Sequence, residues 1–262
     1  GEVSGQLAET LDELSVYMET VEETQRKVKS AMYYPVFIVG FLAVTLFLTF
    51  TFIIPRFKTV YDQLNADLPY YTVLLVNMAS WFQHNFIGFL FFLFLIFIVI
   101  WMATLTDSGS LVKDKLILKT PIFGNLVLQN LLSKFSKTFG ILVGSGVSIM
   151  ASMHLLEKVV DNRVFEIAIQ KATKNIENGI NISRALKETE VFPPIMIQLF
   201  STGEETGEID SLALKAADFY SKQVAASVDR LTSVIEPLLI VLVGVVIGAI
   251  VVATYLPIFN FG

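Results

Sequence analysis

The stretch Gly203–Phe259, GEETGEIDSLALKAADFYSKQVAASVDRLTSVIEPLLIVLVGVVIGAIVVATYLPIF, occurs twice in the chain. Laid over the N-terminus without a gap, it puts Gly203-Glu204-Glu205-Thr206-Gly207 on Gly1-Glu2-Val3-Ser4-Gly5. The same register puts Pro237 on Pro35 and Leu256-Pro257-Ile258-Phe259 on Ile54-Pro55-Arg56-Phe57. In each copy a G-E-x-[S/T]-G turn opens an amphipathic helix. A proline follows, then a nearly unbroken apolar run, Val36–Ile54 or Leu238–Leu256, then a second proline and a phenylalanine. A fixed-register repeat decides the architecture before any single residue is weighed. It also predicts a piece of a longer protein, lacking the first-copy counterpart of Leu126–Thr202.

Composition agrees with those apolar runs. The 262 residues are 54% hydrophobic and 16% charged, with 22 phenylalanines, more apolar surface than a water-soluble domain covers with polar groups. Zero cysteines exclude disulfides and thiolate metal sites. A net charge of -5 argues against nucleic acid as a partner.

Three segments are long enough to cross a bilayer, which takes about 20 residues at about 1.5 Å rise each. They are Val36–Ile54, Phe86–Leu105 and Leu238–Leu256; Trp81 and Trp101 flank the second as interfacial anchors. Pro35 fits the first turn of its span, where a missing N–H costs little. Before it, Leu7, Leu11, Leu14, Met18, Val21, Val28 and Met32 put one apolar face on a helix over Gln6–Met32. That face packs within a cytoplasmic domain or pairs in a coiled coil, and the sequence leaves both open.

Basic residues near the span ends orient the chain. Arg26, Lys27, Lys29, Lys113, Lys115, Lys119, Lys222 and Arg230 fall on one side, and only Arg56 and Lys58 on the other. The N-terminal segment and residues 106–236 are therefore expected in the cytoplasm, with the loop 56–85 and the tail 258–262 outside. The internal region reads as six helices: Leu126–Val143, ended by Gly144-Ser145-Gly146; a second capped by Ser148 with Met150, Leu155 and Leu156 inward; a third capped by Asn162 and closed at Asn178-Gly179; a short Ser183–Glu188; a fifth from Pro193-Pro194 to Gly203; and a sixth from Ile209. No stretch alternates with period two, so strands are not expected.

Motifs for chemistry are missing. No segment matches the phosphate-holding G-x-x-x-x-G-K-[S/T] pattern or a G-x-S-x-G elbow. His84 and His154 fall on opposite sides of the membrane in this topology. No catalysis and no cofactor are expected. The acidic turn Glu204, Glu205, Glu208 and Asp210 has two readings: carboxylates that stabilise a helix start, or oxygen ligands for a divalent cation. Gly203 is expected to close one helix with a positive φ, and Thr206 to cap the next. In the third span, Gly244 and Gly248 form a small-xxx-small pair fit for close helix packing, within the chain or between copies.

The doubled turn, the entries Tyr34-Pro35 and Glu236-Pro237, the exits Pro55 and Pro257, Leu68-Pro69-x-x-Thr72, Gly144-Ser145-Gly146-Val147 and the ending Pro257-Ile258-Phe259-Asn260 resemble the inner-membrane platform proteins of type IV pili and type II secretion. The resemblance covers essentially the whole chain, and the ending leans toward the pilus branch. It implies an all-α integral membrane protein built from tandem cytoplasmic six-helix domains, each followed by membrane helices; most of the first domain is absent here. The expected division is 1–34 (last helix of the first cytoplasmic repeat), 35–55 (first span), 56–85 (periplasmic loop), 86–105 (second span), 106–236 (second cytoplasmic domain), 237–257 (third span) and 258–262 (periplasmic tail). It further implies a homo-oligomer in the bilayer that takes force from a hexameric secretion ATPase, delivers pilin or pseudopilin, and meets other inner-membrane assembly proteins. Gly1, Glu2, Gly5, Pro35, Pro55, Gly203, Glu204, Thr206, Gly207, Glu236, Pro237 and Pro257 are the expected structural and coupling residues. A transporter or permease subunit shares the repeat habit, but the spans lack the ionisable groups expected at mid-depth. A membrane sensor lacks a sizeable external domain here.

Overall fold

The computed structural model describes residues 26, 29, 30, 32–56, 59, 70–121 and 123–259. Gly1, Glu2 and Gly5, most of the expected helix Gln6–Met32, and Leu68-Pro69 lie outside the described residues. No strand occurs among those described. The elements are α1 (Met32–Arg56), α2 (Tyr70–Thr104), α3 (Asp107–Lys119), α4 (Phe123–Gly144), α5 (Ile149–Val159), α6 (Arg163–Glu177), α7 (Ile182–Lys187), α8 (Pro194–Thr206) and α9 (Ile209–Phe259). They divide between a unit of residues 1–29 and 103–231 and a unit of residues 30–102 and 232–262.

In the first unit, local chemistry sets most helix ends. The Ser148 hydroxyl accepts from the Ala151 N–H at 3.3 Å, and Asn162 Oδ1 accepts from the N–H groups of Val164 and Phe165, each at 3.1 Å, as expected of both. Gly146 (φ +84°) and Gly179 (φ +83°) close α4 and α6. In each case the glycine N–H and the N–H after it return to carbonyls of the last turn, Val143 and Leu142 for α4, Ile176 and Asn175 for α6.

The core is a ring cluster of Phe135 and Phe139 on α4, Phe165 on α6, Phe192 before α8 and Phe200 on α8, all at most 4% exposed. Centroids lie 5.2–6.1 Å apart. Burying one such ring contributes about 2–3 kcal/mol; a surface ion pair such as Lys134–Asp161, at 3.8 Å, contributes about 1 kcal/mol at most. The rings therefore hold the unit together.

The seam between α4 and α9 is built from small residues. Ala213, Ala216 and Ala217 are buried, and a Cβ on Gly140 would meet Leu214 Cγ at 2.8 Å. The Ser133 hydroxyl donates to the Ala217 carbonyl at 3.0 Å, and the Ser227 hydroxyl donates to Gln129 Oε1 at 2.7 Å. The pairing runs antiparallel.

Three expectations are corrected here. The region has a helix more than the six expected, because α3 folds onto α4 and α6 with Leu118 against the core. Nearly buried Asp114 on α3 accepts the Arg163 N–H at 2.7 Å, helping to start α6. On α5 the inward residues are Ser152, Met153 and Leu156; Leu155 is 44% exposed, because its neighbour in sequence already occupies the inward position. And α8 runs past Gly203 to Thr206.

The other unit holds α1, α2 and the C-terminal part of α9, and three helices among the described residues are long and apolar enough to cross a membrane. α2 is 35 residues long, about 52 Å, so residues 70–85, expected as loop, are helix, and His84 stands exposed on it. Three of the four bracketing prolines lie within helices: Pro35 is buried inside α1, and α9 continues through Pro237 and Pro257. A proline inside a helix forfeits one backbone hydrogen bond, which spanning helices tolerate. Thr49–Ile53 of α1 forms a π-helical turn, closed by the Ile54 N–H on the Thr49 carbonyl. There the Gln83 amide of α2 donates to the carbonyls of Phe50 and Thr51 at 3.3 and 3.1 Å. Ile54, Val76 and Ala79 are buried together beside this turn.

Candidate functional site

The doubled turn forms the sharp reversal between α8 and α9. Gly203 sits inside α8, buried, and a Cβ there would lie 2.7 Å from the Ile209 Cα. The glycine is needed because another backbone passes against it. The left-handed residue is Gly207, at φ 77° and ψ 9°, with open space where its side chain would be. Thr206 does not cap α9 either: its hydroxyl donates back to the Thr202 carbonyl at 2.9 Å, in the last turn of α8.

Glu204 has the most specific role. Its carboxylate accepts the Ile182 N–H on Oε1, and the Ser183 N–H (3.0 Å) and Ser183 hydroxyl (2.6 Å) on Oε2. Asn181, in the capping position of α7, makes no side-chain cap of its own. Glu204 thus caps α7 from α8, 21 residues further along the chain than Ser183, satisfying backbone donors that a helix start otherwise leaves open. Charge-assisted bonds of this kind are stronger than neutral ones. Ser183 and Ile182 were not legible as partners of the turn, because Asn181 is in sequence a favoured cap residue and its unfilled cap shows only in the structure.

The other carboxylates point elsewhere. Glu205 accepts from the Ser201 hydroxyl at 3.3 Å, and Asp210 Oδ2 faces Gly144, whose Cβ would lie 3.5 Å away. Glu208 is exposed, and its carbonyl accepts the Leu212 N–H in the first turn of α9. Among the described residues no group of three or more His, Cys, Asp or Glu side chains is placed to hold a metal ion. Both Glu204 oxygens are committed to α7 rather than turned toward Glu205, Glu208 and Asp210. His154 lies between Glu157 (3.5 Å) and Glu177 (3.4 Å), tying α5 to the end of α6.

In α9, Glu236 and Pro237 are exposed. Nothing lies within 4 Å of a Cβ built on Gly244 or Gly248, so the close contact expected of this pair is not made among the described residues. Pro55 is half-buried at the end of α1.

The sequence profile of the type II secretion system (T2SS), protein F family matches residues 1–55 and 135–257, segments whose ends fall on Pro55 and Pro257, a pair the self-alignment superposes. The type IV pilus assembly protein PilC of Pseudomonas aeruginosa is 30% identical over 271 residues, covering all of this chain and 70% of that protein. The PilC of Thermus thermophilus is 34% identical over 261 residues, covering 99% of this chain and 64% of that protein. The type II secretion system protein F of Aeromonas hydrophila is 29% identical over 259 residues, covering 98% and 66%. The chain thus spans about two thirds of the length of these relatives. On a match that runs through both copies of the repeat, the chain belongs to the type II secretion system protein F family.

Proposed function

We propose that this protein is an inner-membrane platform of a type IV pilus or type II secretion machine, coupling a cytoplasmic hexameric ATPase to the insertion of pilin or pseudopilin into a filament. The observation that carries this reading is the end-to-end similarity to relatives named for both machines. The fold supports it: a helical bundle with a phenylalanine core, three apolar helices, and conspicuous motif residues used to hold helices together. Glu204 fixes α7 to α8, and Gly203 lets α9 start close against α8. In this reading α9, which begins at that reversal and runs on as one helix to Phe259, carries displacement of the bundle into the bilayer. The open strip at Gly244 and Gly248 serves contact between copies in a homo-oligomer.

The test is biochemical. The protein purified in lipid nanodiscs is expected to turn over no ATP alone and to bind a secretion ATPase from the same cell and raise its hydrolysis rate. Turnover without that partner, or no binding in either nucleotide state, would overturn the proposal.

Topology is a separate prediction. The basic residues Lys113, Lys115, Lys119, Lys222 and Arg230 put 106–236 in the cytoplasm and the C-terminus outside. A reporter active only in the periplasm is expected to work when fused after Gly262 and to be silent when inserted at Ser145. The opposite pattern would reverse the orientation.

A further inference from the structure

Helix α3 is apolar on two sides. One side packs on the bundle through Leu118 and Asp114; the other is open, with Val112 57% and Leu116 61% exposed. These two share a helical stripe with Lys115 and Lys119, at spacings of three, four and seven residues, and Lys113 stands beside it. All three lysines are exposed. Lys113 pairs with Asp114 at 3.3 Å, while Lys115 and Lys119 make no ion pair among the described residues. Both acidic residues of α3 lie off the stripe: Asp114 is buried, and Asp107 is in the first turn, 3.8 Å from Arg163.

The position of this stripe along the chain is as telling as its composition. α3 begins at Asp107, three residues after Thr104, where the candidate span Gln83–Thr104 ends; three residues reach at most about 10 Å. The joint is tight. The Thr106 hydroxyl donates to the Ala103 carbonyl at 2.8 Å and accepts the Gly109 N–H at 3.2 Å, and a Cβ on Gly109 would lie 1.9 Å from the Ala103 carbonyl oxygen. The short connection therefore keeps the start of α3 within about 10 Å of the end of that span.

We propose that α3 is a membrane-surface helix: Val112 and Leu116 enter the headgroup boundary while Lys113, Lys115 and Lys119 hold anionic lipid headgroups. Apolar side chains flanked by lysines, with no acid on the same stripe, suit an anionic leaflet, since lysine stems lie along apolar surface while their ammonium groups reach the phosphates. This rests on α2 crossing the membrane and is independent of the platform role.

Because the chain has no cysteine, Val112→Cys supplies a single thiol for a fluorescent label. The labelled chain is reconstituted in vesicles of phosphatidylcholine and of an equimolar mixture with phosphatidylglycerol. In the anionic vesicles the label is expected to be shielded from aqueous iodide and quenched by nitroxide on the headgroups. Serine at Lys113, Lys115 and Lys119 is expected to weaken that association roughly fivefold per lysine, leaving the detergent-solubilised melting temperature unchanged. Equal iodide quenching in both vesicles overturns the proposal. So does shielding that persists in detergent and rises with protein concentration, the mark of a second copy covering the stripe. A label at Phe97→Cys in α2, read with a deep bromolipid, reports on the span itself, so a failure there is told apart from a failure at α3.

Discussion

Gly203→Val is expected to lower the melting temperature of the helical bundle by about 10 °C and to abolish filament assembly or secretion, with membrane insertion unchanged. The Cβ that any substitution adds would lie 2.7 Å from the Ile209 Cα, and a backbone atom cannot swing aside as a side-chain tip can. Overpacking typically costs about 1–3 kcal/mol, which for a unit of this size is a shift of several degrees per kcal/mol. Gly203→Ala brings the same atom to the same place, so it too is expected to destabilise. Gly207→Asn supplies the informative contrast. Gly207 has a left-handed backbone and nothing within 4 Å, and asparagine visits that region readily, so this variant should melt within a degree or two of the wild type. Thermal unfolding followed by circular dichroism, with a pilus or secretion assay at matched protein levels, checks the set. Equal tolerance at both glycines would refute the close-approach account.

Glu204→Ala is expected to cost the bundle about 3 kcal/mol, since it strands the Ile182 and Ser183 N–H groups and the Ser183 hydroxyl, and bonds to a charged acceptor are each worth about 1.5–3 kcal/mol. The damage should be local first. Amide exchange of α7 should accelerate well before that of α6, whose start is held by Asn162 and Asp114. Glu204→Gln should fall between, because its carboxamide keeps one acceptor oxygen and turns the other toward the donors as an NH₂. Unchanged α7 protection in Glu204→Ala would show that the helix is held by packing alone.

What could be read from the residues divides along physical lines. Ser148, Asn162 and Gly179 act on atoms within a few residues, and capping chemistry announces itself in local sequence. Three apolar runs long enough for a bilayer are equally plain. Glu204 meets Ser183 across 21 residues of chain, and no local pattern encodes such a meeting. Of the two glycines in the repeated turn, Gly203 was expected in the left-handed position; it lies inside α8 against Ile209 and Gly207 takes that conformation, and that is a fact of packing. α3 was missed because it is apolar on two faces, which erases the single-stripe periodicity that marks a helix. Pro237 was legible as a residue the last helix runs through, while the continuation of α9 past Pro257 was not, since a proline gives no local sign of whether a spanning helix tolerates it.

The π-helical turn at Thr49–Ile53 has a genealogical consequence. In the self-alignment these five positions fall on Val251–Tyr255, where α9 is ordinary α-helix. A π turn takes up about one more residue than an α turn, about 100° of rotation. The two copies therefore stay matched position for position, without a gap, while their backbones fall out of phase beyond that point. The two copies keep the same number of residues here and wind them differently, and in the first the Gln83 amide braces the underwound turn at the Phe50 and Thr51 carbonyls.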